Sequence, residues 1–111
     1  PNNINTLNNR GSAYCKIHKY KEALADYNKS LEIEPNNAKT LNNRGLAYFK
    51  VNRYEEALAD FNKSLELDPN NADTLYNRGF TYYTLGRYDE AFADYNRSSE
   101  INNTSTTNNT A

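Results

Sequence analysis

At 111 residues the chain has room for one modest domain, but 37% hydrophobic content and a mean hydropathy of -1.02 are low for a compact globule. Lys and Arg number 13 against 14 Asp and Glu, and the net charge of -1 excludes the basic footprint of a DNA- or RNA-binding surface. No apolar run approaches the ~18–20 residues of a membrane-spanning helix, and the 13% aromatic content, mostly Tyr, argues against a disordered chain.

Pro1-Asn2-Asn3 opens the chain, and this turn signal returns as Pro35-Asn36-Asn37 and Pro69-Asn70-Asn71, a period of 34 residues. Three copies of one pattern therefore occupy residues 2–35, 36–69 and 70–103, and the first two agree at most positions without a gap. A period of this length signals a stack of supersecondary units. In the first copy Leu7, Gly11 and Tyr14 are spaced for one helix, and Ala23, Tyr27 and Ser30 for a second. The middle copy is clearest. Leu41, Gly45, Tyr48 and Phe49 fall three and four apart, Asn52-Arg53 interrupts, and Tyr54, Ala57, Leu58, Phe61 and Leu65 resume the pattern. The run ends before Asp68-Pro69, because a residue preceding proline disfavours the helical region. In the third copy Leu75, Gly79, Tyr82, Ala91, Tyr95 and Ser98 repeat the spacing, but Asn103 replaces the proline. The polar, unpatterned residues 104–111 are expected to be a disordered tail. Each copy thus predicts two helices of about 13 residues that short loops hold antiparallel.

Gly11, Gly45 and Gly79 lie mid-helix, where glycine costs about 1 kcal/mol relative to alanine. Close backbone approach opposite Ala23, Ala57 and Ala91 is the expected compensation, with Tyr27, Phe61 and Tyr95 filling the space beside it. Arg10, Arg44 and Arg78 precede the glycines, and Asp26, Asp60 and Asp94 recur as strictly on the second helices. An ion pair between the two helices is the expected use of this matched set, ahead of anion binding by the arginines.

These residues resemble the tetratricopeptide repeat (TPR) family. Its 34-residue helix–turn–helix unit carries Leu, Gly, Tyr, Ala, an aromatic, a small residue and Pro, matched here by Leu41, Gly45, Tyr48, Ala57, Phe61, Ser64 and Pro69. The resemblance implies an all-α fold, a right-handed superhelical solenoid of antiparallel helix pairs, with first helices on the concave face. It places Asn8, Asn42 and Tyr76, Asn9, Asn43 and Asn77, Ser12, Leu46 and Phe80, and Lys16, Lys50 and Thr84 along that face. Members of the family hold an extended peptide with an asparagine ladder, and Asn9, Asn43 and Asn77 supply one carboxamide per copy. A carboxamide both donates and accepts, so it suits a peptide backbone. Tyr76, Phe80, Leu46, Phe49 and Tyr83 offer apolar or stacking contacts toward the third copy.

The expected function is therefore protein–protein interaction, through an extended peptide bound in the concave groove. Co-chaperones of the family grip acidic C-terminal peptides with a two-carboxylate clamp. Its positions are read here as Asn8, Ser12, Asn43, Asp73 and Asn77; only Asn43 matches, which argues against a carboxylate-terminated chaperone ligand. The alternatives are a structural scaffold that assembles through its ends or convex face, and a regulatory part of a larger enzyme.

His18 and Cys15 have no ligand or dyad partners at useful spacing, and no nucleophile motif or phosphate loop occurs, so neither catalysis nor a metal or cofactor is expected. The triplets Asn28-Lys29-Ser30, Asn62-Lys63-Ser64 and Asn96-Arg97-Ser98 match a glycosylation pattern, but their serines are expected to pack inside helices. A lone cysteine suits a reducing compartment, so a cytoplasmic location is expected, and the start on Pro1 suggests a piece of a longer protein. Ser99 replaces Leu31 and Leu65, so the last helix is expected to face water with Phe92, Tyr95 and Ile101 partly uncovered. Such an end would let one copy of the chain stack on another.

Overall fold

A computed structural model describes residues 3–110, and side chains as far as residue 104. Six helices follow in order: α1 Ile4–Lys16, α2 Tyr20–Ile33, α3 Ala38–Lys50, α4 Tyr54–Leu67, α5 Ala72–Thr84 and α6 Tyr88–Thr110. Asparagine starts each first helix. Asn3, Asn37 and Asn71 take extended backbone, and their Oδ1 atoms accept the N–H groups of Thr6, Thr40 and Thr74 at 3.2, 3.1 and 3.1 Å. Each cap satisfies one of the N–H groups that a helix start leaves unpaired.

The same helices end in a common way. His18, Asn52 and Gly86 adopt left-handed φ values of 62, 65 and 79°. The following N–H reaches back to the carbonyls of Tyr14, Tyr48 and Tyr82 at 2.8, 2.9 and 2.9 Å, the bond that closes a Schellman turn. The chain then reverses and the second helix packs against the first.

Curvature follows from which helices meet. Each helix packs on its sequence neighbours, and α1 also meets α3 and α3 meets α5. Among the described residues no two of α2, α4 and α6 meet. First helices therefore converge and second helices splay, so α1, α3 and α5 line the hollow side. The radius of gyration is 14.6 Å, above the ~13 Å of a compact domain of about 100 residues.

The mid-helix glycines make room for rings. A Cβ at Gly45 would stand 2.6 Å from the Phe61 ring, one at Gly11 2.6 Å from Tyr27, and one at Gly79 3.0 Å from Tyr95. Close approach is real, but its partner is the aromatic side chain rather than the backbone opposite Ala57. Tyr27 and Phe61 are buried by this seat and by the repeat that follows.

Arginine and aspartate join each helix pair. Arg44 Nε and Nη2 donate to Asp60 Oδ2 and Oδ1 at 2.8 and 2.7 Å, and Arg10–Asp26 and Arg78–Asp94 repeat the fork. The remaining Nη1 crosses to the preceding repeat: Arg44 donates to Asn28 Oδ1 and Arg78 to Asn62 Oδ1, each at 3.0 Å. The hydrogen bonds that Arg44 donates to Asp60 raise its guanidinium above its ordinary value, with burial opposing. Tyr48 lies between Arg44 and Arg53, whose guanidinium carbons are 5.6 and 4.8 Å from its ring centre.

The serines of the Asn-x-Ser triplets are buried, and Ser64 and Ser98 donate to the carbonyls of Ala38 and Ala72 at 2.8 Å. The end of the last repeat departs from expectation. No proline stands at residue 103, and α6 continues helical to Thr110 through the segment expected to be a disordered tail. Ala111 lies outside the described residues.

Candidate functional site

The hollow side gathers side chains from α1, α3 and α5. A cavity of about 290 Å³ lies between the first two repeats. Four expected groove residues line it, Ser12, Asn43, Leu46 and Lys50, together with Lys16 of the same face. Cys15, Tyr20, Tyr27 and Ala47 complete its wall. Tyr27 had been assigned to the interior alone. Its ring is core, but its hydroxyl lies 3.2 Å from Ser12 Oγ and 3.9 Å from Cys15 Sγ. The signal was in the sequence, because Tyr27 has a hydroxyl where Phe61 has none.

Burial pushes the Tyr27 phenol up to about 12, the Ser12 hydrogen bond opposing. Below pH 10 the folded and unfolded chains both keep this proton. Between pH 10 and 12 only the unfolded chain releases it, so stability falls as pH rises, by at most about 2–3 kcal/mol. Tyr27→Phe is expected to reduce that alkaline loss, which urea melts at pH 9 and pH 11.5 measure. Burial also pushes the Cys15 thiol up, the Tyr27 hydrogen bond opposing, so the thiol stays protonated and weakly nucleophilic at neutral pH.

The asparagines divide into two kinds. Asn9 and Asn43 have no side-chain hydrogen bond among the described residues, whereas Asn77 Nδ2 donates to Asn42 Oδ1 of the preceding repeat at 3.1 Å. The Asn8 Oδ1 atom is buried without a partner. Asn8 and Asn42 are half-buried, as are Asn43 and Asn77.

Aromatic rings cluster at the third repeat. Tyr76 and Phe80 stack with 6.4 Å between centres and 4° between planes, and Phe49 lies 5.4 Å from Phe80. Tyr76, Phe80 and Tyr83 are about half exposed and line a second cavity of about 660 Å³ with Tyr95 and Ser99. Tyr83 is expected at this end from the sequence, whereas Tyr95, expected beside Gly79, joins the cavity wall as well.

Of the positions compared with the carboxylate clamp, Asn8 and Ser12 lie on α1, Asn43 on α3, and Asp73 and Asn77 on α5.

Family models described as the tetratricopeptide or TPR repeat match residues 11–52, 38–71 and 61–93. The first TPR of Spaghetti (RPAP3), bound to the HSP90 peptide SRMEEVD, is 31% identical over 88% of this chain and 78% of that one, with a TM-score of 0.85. The chain belongs to the tetratricopeptide repeat family. The second TPR of Spaghetti (RPAP3), bound to the same peptide, superposes with a TM-score of 0.85 at 28% identity, covering 88% of this chain and 91% of that one. MamA superposes with a TM-score of 0.87 at 26% identity over 91% of this chain, which spans 59% of the MamA chain. No curated protein sequence matches the chain. Among the described residues of this TPR array no helix is long and apolar enough to cross a membrane, and no cluster of His, Cys, Asp and Glu is arranged to hold a metal.

Proposed function

We propose that this TPR array is a protein-interaction module that holds an extended peptide along the row Asn9, Asn43 and Asn77. The observation that supports the reading is Asn43 in the wall of the cavity that Ser12, Leu46 and Lys50 also line, with Asn9 exposed and Asn77 half-buried one repeat to either side. Carboxamides one repeat apart meet backbone N–H and C=O groups, which gives affinity with little sequence choice. The cavity accepts one apolar side chain. Lys16 and Lys50 at its wall favour an acidic neighbour.

Support also comes from two relatives of the same fold, the first and second TPRs of Spaghetti (RPAP3), each of which carries an HSP90 peptide. The ligand proposed here differs from theirs at its terminus. With Asn8, Asp73 and Asn77 at the clamp's cationic positions, the groove suits an internal peptide segment better than a terminal carboxylate. No catalytic step is assigned to the chain.

Asn43→Ala combined with Asn77→Ala tests the reading. Each groove hydrogen bond contributes roughly 0.5–1.5 kcal/mol, so the pair is expected to weaken binding about tenfold or more. The probe is a peptide selected on the parent from a random library, and binding is followed by fluorescence anisotropy. Unchanged affinity in a variant that keeps its helical circular dichroism would overturn the ladder.

A further inference from the structure

The two seams between repeats share one register but are filled differently. At the second, Phe49 of α3 stands edge-on to Tyr54 of α4 with 5.3 Å between ring centres, and lies 5.4 Å from Phe80 of α5. One ring thus bridges three successive helices. The residues 34 positions earlier are Cys15, Tyr20 and Leu46, and all three line the cavity of about 290 Å³ at the first seam. Tyrosine is kept, but a thiol stands in place of Phe49 and an aliphatic side chain in place of Phe80. Ser12, in the same wall, replaces Leu46 of the second seam. The cavity is therefore the place of a missing ring.

Its size and charge narrow the occupant further. At about 290 Å³ it falls below the ~300–1,000 Å³ of sites for drug-sized molecules, so it suits one side chain rather than a free cofactor. No carboxylate lines it, and Lys16 and Lys50 in its wall form no ion pair among the described residues. Two ammonium groups repel a cationic side chain and suit the negative face of a ring. Asn43 stands in the same wall, so a peptide bonded to that carboxamide has a side chain within reach of the cavity.

Resting on the peptide reading above, we propose that this cavity reads one aromatic side chain of the bound peptide, a ring from the partner standing where Phe49 stands at the second seam. Tyr20 would meet it edge-on and Leu46 would close its other side. The asparagine row then supplies affinity for any extended backbone, and the first seam supplies the choice among sequences.

The probe is a cysteine-free peptide selected on the parent from a random library. Binders are expected to share one aromatic position, and alanine there to weaken binding about tenfold or more. Cys15 reports where the ring goes, because it is the chain's only cysteine and is half-buried in the cavity wall. At saturation the aromatic peptide is expected to slow alkylation of Cys15 by iodoacetamide several-fold, and the alanine peptide to slow it much less. Cys15→Phe supplies the ring from within. Once a circular dichroism melt confirms its fold, the variant is expected to bind the aromatic and alanine peptides alike. The alkylation rates need no variant, so they decide the matter if Cys15→Phe melts early. Binders without a shared aromatic position, equal or absent slowing by the two peptides, or an aromatic preference that survives Cys15→Phe would overturn the cavity's role. Each of these leaves the asparagine row standing, because Asn43→Ala with Asn77→Ala tests that row separately. A library that yields no binder overturns both readings.

Discussion

Gly45→Leu is expected to abolish the cooperative melt of the middle repeat, and Gly45→Ala to destabilise the array by about 1–3 kcal/mol. The direction is the informative part. In an exposed helix, replacing glycine by alanine stabilises by about 1 kcal/mol, because alanine is the better helix former. Here the new methyl would stand 2.6 Å from the Phe61 ring, which is fully buried and has nowhere to move. Overpacking therefore outweighs propensity. At about 4–8 °C per kcal/mol for a domain of this size, the Gly45→Ala melting temperature is expected to drop by roughly 10 °C. Pairing Gly45→Ala with Phe61→Leu makes room for the methyl, so the double variant is expected to lose less than the sum of the single losses. A Gly45→Ala protein as stable as the parent would refute the ring seat.

Asp60→Ala is expected to cost about 3 kcal/mol or more in urea unfolding, the range for leaving one member of a buried ion pair alone. Asp60 has a nearly buried side chain and accepts two short hydrogen bonds from Arg44. Truncation leaves a guanidinium that is mostly enclosed between two repeats and cannot reach water freely. Asp26→Ala is expected to cost less, because the Arg10 side chain is half exposed and finds solvent at once. Breaking the exposed, solvent-screened Arg87–Glu90 pair is expected to change stability least of the three. The order Asp60, Asp26, Glu90 is the result to check; equal losses at Asp60 and Asp26 would mean that burial does not set the cost.

The period made the fold readable. Once Pro-Asn-Asn recurs every 34 residues, element number, order and pairing follow from short loops and three-to-four spacing. The Arg–Asp fork was also legible, because an acid and a base that recur in step on two facing helices have one economical arrangement. Register between repeats was harder. That Asn77 reaches Asn42 of the previous repeat depends on how neighbouring helices are offset. Spacing within one helix does not carry that offset. The glycine seat was half visible: the cost of glycine signalled a close neighbour, but not whether it was a backbone or a ring. Helix ends were legible where Pro35 and Pro69 follow α2 and α4, and not at α6, which has no such breaker and runs on to Thr110.

Because each repeat touches only the one before and the one after, the cooperativity of this molecule is that of a short chain of dominoes. The middle pair α3 and α4 is braced on two sides, while the outer pairs are braced on one. Losing either outer pair leaves the rest with its links intact, so partly melted forms that keep α3 and α4 lie between native and fully unfolded protein. A peptide laid across all three repeats would couple them and turn the sequence of falls into a single event.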